Sequence, residues 1–456
     1  MNIGDSRKGA VVGGVAIGVG LLAWHVTEPR VTAQQRIAWT PTIVAIPSPA
    51  GSKTAEPQLT ISNRGVLLSW IEHAGATVTL KLAERTATGW TEPRAVASGD
   101  NWSVNAVDAP SVLRLSDGTL AATWLQTSGS GMHDNDVRLS YSRDEGRTWS
   151  PSFAPYRDGP QKERLFVSLF ETPARGLGLI WLDGGAMRPA AGNIERAVPN
   201  HTPGADHAHP QGAGHQGGAG HEGHGTMSDR GDMSVRFAAF DAAWKQIAEM
   251  LIDSRVCECC PTAAAVAAGG PIVAYRDRSA DEIRDISVSR FVNGTWTTPV
   301  AAHNDGWKIA ACPIDGPALS AAGKNVAIAW FTATGDQGHA FVAFSSDSGA
   351  SFGAPVRLDD GSALGRVDVQ LTAEGAAVAT WIEFADGRAQ FKTRVVDPSG
   401  QKGAAVAVTD VSAGRSSGYP RVAGQGDELV FAWTESDNGA SRVRTAFARV
   451  PRSSTR

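Results

Sequence analysis

The 456-residue sequence has no large surplus of charge of either sign. Its 42 lysines and arginines stand against 46 acids, and no basic block interrupts the balance. That excludes nucleic acid as an expected partner, because proteins that bind it carry a clustered basic footprint. Beyond Val26 no apolar run is long enough to cross a bilayer, so any membrane contact is confined to the N-terminus. Tyrosine and cysteine are scarce, at 4 each. What is plentiful is glycine (51) and, for its usual rarity, tryptophan (14). Short apolar runs separated by glycines and turn dipeptides predict an all-β chain.

The N-terminus places Arg7 and Lys8 before an uncharged apolar run from Gly9 to Val26, followed by the small-residue stretch Val31–Ala33. This is the layout of a secretory signal over residues 1–34. The run is also just long enough to span a membrane if retained, with the following chain exported. The sequence therefore predicts an exported protein, periplasmic or extracellular, with its N-terminus cleaved or kept as an anchor. In such a compartment thiols persist mainly when bridged or bound to metal.

A unit of about fifty residues recurs. Each copy has an apolar strand, a glycine turn, a strand ending in an aromatic, a loop, an alternating strand, a tight turn and a short last strand. The aromatic is Trp70, Trp124, Trp181, Tyr275, Trp330, Trp381 and Trp433, spaced roughly 51 to 57 residues apart except for one gap of about 94. Seven units of four strands predict a β-propeller over residues 35–456, with seven blades favoured over six. The last unit supplies three strands. The stretch Ile37–Ile46 has the look of the missing fourth and is expected to close the ring, which removes exposed sheet edges.

Two turns, Ser142–Trp149 ("SRDEGRTW") and Ser345–Phe352 ("SSDSGASF"), fit the pattern S-x-D-x-G-x-[ST]-[WF]. This resembles the Asp-box, or BNR repeat, of the sialidase superfamily. Asp144 and Asp347 are expected to accept backbone N–H groups inside the turn, with Trp149 and Phe352 plugging into the blade, a structural role. The resemblance covers the propeller. It implies, as one alternative, an exo-sialidase-type glycoside hydrolase, with three arginines for a substrate carboxylate, a tyrosine nucleophile activated by a glutamate, and a carboxylic acid. At the ends of strands expected to face one mouth of the ring, this sequence offers Arg164, Arg366 and Arg421, Tyr419 with Glu435 or Glu383, and Asp108. Sialidases of the superfamily have six blades and an Arg-Ile-Pro near the first strand. Here the units number seven and that tripeptide is absent.

The same face collects the cysteines. Cys257, Cys259 and Cys260 crowd into "RVCECCPTAA", and Cys260-Pro261 and Cys312-Pro313 begin equivalent strands of neighbouring units. The four are expected to form one cluster between the fourth and fifth blades. Two readings stay open: disulfide staples, with Cys260–Cys312 as the plausible bridge, or thiolate ligation of copper or zinc. The long gap is an insertion, residues 186–232, rich in glycine and histidine and poor in apolar residues, and predicted to be disordered. It carries His201, His207, His209, His215, His221 and His224, imidazoles suited to the same soft or borderline metals. The function favoured by these residues is an exported binding propeller with a soft-metal, copper-type site at the mouth. The sialidase alternative and a propeller that binds a glycan or protein without chemistry stand beside it.

Overall fold

The computed structural model describes residues 39–129, 134–159, 162–185, 232–437 and 439–450. The expected export signal or anchor, and residues 186–231 of the insertion expected to be disordered, with its six histidines, lie outside the described residues. Among those that are described, no helix is long and apolar enough to cross a membrane.

The described strands form seven antiparallel sheets, each built from consecutive strands except the last. In blade 1 the strands are Thr54–Ser62, Gly65–Ala74, Thr77–Thr86 and Arg94–Gly99. Blade 2 has Ser111–Arg114, Leu120–Thr127 and Asn135–Ser142, and its outer position is reduced to a bridge between Leu139 and Phe153. Blade 3 has Arg164–Glu171, Leu177–Asp183, Met233–Phe240 and Gln246–Val256, so the insertion joins its second and third strands. Blades 4, 5 and 6 begin at Ala263–Ala267, Ala318–Ala322 and Ser362–Leu371. Blade 7 has Arg421–Gln425, Glu428–Asp437 and Ala440–Arg449, and the N-terminal strand Val44–Ile46 pairs with the last of these. The closing strand is shorter than the stretch predicted for it, but it occupies the predicted place.

The first strands of the blades touch one another in a closed circle, blade 7 against blade 1 included. The seven aromatics all fall on second strands, and Trp70, Trp181, Tyr275 and Trp381 are fully buried. Their period marks the layer in which each sheet packs on its neighbours, and burying such side chains supplies much of the driving force. Acids stand two residues beyond five of them, and positions i and i+2 of a strand share a face. The Trp181 indole N–H donates to Asp183 Oδ2 at 3.0 Å, and that of Trp381 to Glu383 Oε2 at 2.8 Å.

The two motif turns are built alike. Asp347 Oδ1 accepts from the Ser351 N–H at 3.0 Å and Ser345 Oγ at 2.7 Å, while its Oδ2 accepts from Ser351 Oγ at 2.6 Å. Asp144 makes the same set with Thr148 and Ser142. Hydrogen bonds to the charged form hold both carboxyls below the ordinary range, Asp144 at about 2. Gly146 and Gly349 sit at φ +76° and +77°, a conformation that favours glycine. Trp149 and Phe352 pack against buried clusters of their blades.

Candidate metal centre at the cysteine turn

The outer strand of blade 3 ends at Val256. The chain then leaves the sheet: the Cys257 N–H donates to the Arg276 carbonyl at 3.0 Å, and the following residues form a turn. Side chains alternate only along a strand. In the turn the sulfurs of Cys257, Cys259 and Cys260 converge to within 4.8 Å of one another. Cys257 Sγ lies 3.1 Å from Cys260 Sγ and 3.7 Å from Cys259 Sγ. The segment before blade 5 comes close because Gly316 lies flat on Pro261, where any Cβ would meet the Pro261 carbonyl oxygen at 2.0 Å. That approach brings in Cys312.

The bridge formed is Cys259–Cys312, with Cα atoms 5.9 Å apart, and not the expected Cys260–Cys312. The expectation assumed strand alternation through residues that form a turn. Cys257 and Cys260 remain free thiols, both buried, whereas Cys259 is half-buried and Cys312 exposed. Staple and thiol pair thus coexist in one cluster.

Charged side chains surround the thiols. The Arg284 guanidinium lies 3.3 Å from Cys257 Sγ and 3.1 Å from Glu258 Oε2, and its other terminal nitrogen is 2.9 Å from Glu282. Arg276 beneath is fully buried and donates to the carbonyls of Asp315, Arg284 and Phe331, which pins the three segments together. Burial raises the Cys257 thiol, but the Cys260 S–H bonded to it and the Arg284 charge outweigh this and lower it below the ordinary thiol value. Burial, together with the same bond to Cys257, pushes Cys260 the other way. The pair therefore holds one readily lost proton and one tightly kept. Arg284, Glu258 and Glu282 escaped the reading of the sequence. Glu258 lies inside "CECC" itself, and the dense charge of "RDRSADEIRD" (Arg276–Asp285) was the available signal for the others.

The insertion leaves from and returns to this end of blade 3. Asp183 is registered against Ser234, and Met233 against Val256. Asp232 pairs with Arg255 at 3.0 Å, two residues before Cys257.

The residues proposed for the sialidase alternative are placed differently. Arg164 is fully buried and engaged by Asp183 at 3.0 Å, Asp158 at 2.8 Å and Asp136 at 3.4 Å, with the Tyr156 ring 3.5 Å from its guanidinium carbon. The Tyr419 hydroxyl donates to the Ile314 carbonyl and accepts from the Gly316 N–H, while Glu435 pairs with Arg444 on the surface. Glu383, the other candidate, pairs with Lys392 at 2.9 Å, so tyrosine and both glutamates are bonded elsewhere and not to one another. Arg366 reaches Ser417, and Arg421 lies over the Tyr419 ring at 5.3 Å.

Asp108 has a structural task that it shares with two further acids. Its Oδ2 accepts the Phe166 N–H of the next blade at 2.8 Å. Asp315 does the same for Arg366 at 2.8 Å and Asp368 for Val422 at 2.9 Å. Phe166 and Arg366 are bulged residues with positive φ, so Asp108 and Asp315 each cap an N–H that the sheet leaves unpaired. Burial dominates their titration, pushing Asp108 up to about 7 and Asp315 to about 6 against these hydrogen bonds.

No family model and no curated protein matches the sequence. Solved structures do. The NanB sialidase of Streptococcus pneumoniae (K499G mutant) aligns with 84% of this chain and 83% of its own at 11% identity and a TM-score of 0.45. A polysaccharide lyase, Uly1, aligns with 87% of this chain and 90% of its own at 10% identity and a TM-score of 0.49. A protein of unknown function from Dyadobacter fermentans covers 90% of this chain and 98% of its own, at 11% identity and a TM-score of 0.46.

Proposed function

We propose that the chain is an exported propeller that binds a soft metal ion, Cu(I) foremost, through the thiolates of Cys257 and Cys260. The observation that carries this is the buried pair of free thiols, 3.1 Å apart, inside a three-sulfur cluster. Thiolates select Cu(I) and zinc over hard cations. The guanidinium of Arg284 faces Cys257 and balances the negative charge that ligation requires. A turn anchored by Arg276 holds the donors in place before any ion arrives, which favours binding because less ordering remains to be done. The half-buried Cys259 is bridged to Cys312, so two sulfurs are available while that bridge stands. Copper is favoured over zinc because two buried sulfurs suit a low coordination number, while structural zinc takes four ligands. The six histidines of the insertion supply weaker, separate capacity.

The test is a competition titration of Cu(I), under anaerobic conditions, into wild type, Cys257→Ser/Cys260→Ser and a chain lacking residues 186–231. Tight binding lost in the double variant and kept in the deletion is the expected result. Equal affinity in all three would overturn the thiolate site, and loss only in the deletion would move the site to the histidines.

A further inference from the structure

We propose that the four cysteines form an internal thiol–disulfide relay, which moves a disulfide between the surface pair Cys259–Cys312 and the interior pair Cys257–Cys260. It goes beyond metal binding and needs no ion. The geometry is a graded chain of sulfurs. Cys312 is exposed, Cys259 half-buried, and Cys257 and Cys260 buried. Cys257 Sγ stands between the two pairs, 3.7 Å from one member of the disulfide and 3.1 Å from its own partner thiol. Cys257 and Cys260 are also spaced as C-x-x-C, so the short link between them permits a bridge across the turn.

The exchange proceeds in two displacements. The deprotonated Cys257 sulfur attacks Cys259 Sγ. A Cys257–Cys259 bond forms, the Cys259–Cys312 bond breaks, and its electron pair leaves on Cys312, which takes up a proton at the surface. Cys260 then loses its proton and attacks Cys257 Sγ. The Cys257–Cys260 bond forms, Cys259 leaves as a thiolate, and it accepts a proton in turn. One disulfide has moved inward and no electrons have entered or left. The surface dithiol so exposed reduces an external disulfide by the same chemistry, reforming Cys259–Cys312 and releasing two thiols. A chain with all four thiols reduced thus delivers two successive pairs of electrons through Cys312, although Cys257 and Cys260 themselves are closed to solvent.

The relay is tested on metal-free protein in a chelating buffer. The chain is fully reduced and the reductant removed. One equivalent of 2,2′-dithiodipyridine is added, and the sample is divided. One half is quenched in acid at once; the other is incubated folded and then treated with iodoacetamide. Peptide mapping should find Cys259–Cys312 bonded early, and later Cys257–Cys260 bonded with Cys259 and Cys312 alkylated. In Cys260→Ser the exchange should stop at Cys257–Cys259, with Cys312 alone labelled. In Cys257→Ser the bridge should stay at Cys259–Cys312, with Cys312 unlabelled. A wild-type bridge that never leaves Cys259–Cys312 would overturn the relay, as would labelling of Cys312 that is unchanged in Cys257→Ser. Wild type and Cys260→Ser decide the matter if Cys257→Ser does not fold. Metal affinity enters none of these readouts, so failure here leaves the binding proposal standing.

Discussion

The Arg284 guanidinium sits 3.3 Å from the sulfur of Cys257 and also contacts Glu258 and Glu282. One buried cation thus serves a thiol and two carboxylates.

Replacing Arg284 by Met should raise the Cys257 thiol toward the ordinary value and leave Arg278 as the remaining ion-pair partner of Glu258 and Glu282. A buried ion pair broken from one side costs on the order of 3 to 5 kcal/mol. Urea denaturation should show a loss near the lower figure, because Glu282 is partly exposed and Glu258 keeps Arg278 at 3.9 Å. The rate of thiol alkylation against pH should shift upward in the same variant. An unchanged profile would mean that the guanidinium does not govern the thiol.

The interblade acids make stability fall as pH rises. Asp108 and Asp315 have folded values of about 7 and about 6, above the unfolded carboxyl value of 3.8. Their contribution is full below about 4 and is lost as pH climbs through 6 to 7, at up to about 1.4 kcal/mol per pH unit for each group. Asp108→Asn keeps the acceptor for the Phe166 N–H and removes the titration. Denaturation midpoints of this variant, measured from pH 4.5 to 8, should depend on pH less steeply than those of wild type.

Asp347→Ala removes three hydrogen bonds from an exposed turn. The loss is expected to be on the order of 1 kcal/mol, without effect on metal affinity. A thermal melt and a Cu(I) titration on the same sample check both halves.

Deleting residues 1–48 removes the strand that completes blade 7. Ala440–Arg449 then becomes an open edge, a template for pairing between copies. A lowered melting temperature with association on size-exclusion chromatography is expected. A monomeric chain of unchanged stability would show that closure contributes nothing.

The propeller was legible because its signals are periodic. The second-strand aromatics repeat with the blade, and a three-strand last unit leaves a place that only a strand from the other end of the chain can fill. The cysteine cluster was legible for the same reason, as Cys260 and Cys312 precede equivalent strands. Its bonding was not, because a turn after Val256 cancels the alternation on which the Cys260–Cys312 expectation rested. Arg284 was hidden because it lies between strands, 24 residues beyond Cys260 in the chain, and only the fold brings it back to Cys257. The arginines grouped for a substrate carboxylate all fall on first strands, but that placement does not reveal that Arg164 already has three acids around it. Likewise the pattern did not show that Asp108 caps a bulge, because a bulge in the next blade leaves no trace in the residues around the acid.

The most direct test of the central claim is X-ray absorption at the copper edge on wild-type protein loaded with one equivalent of Cu(I), with the Cys259–Cys312 bridge intact. A Cu(I) edge with a first shell of two sulfurs is expected, abolished in Cys257→Ser/Cys260→Ser. A first shell of nitrogen or oxygen alone in the wild type would contradict it.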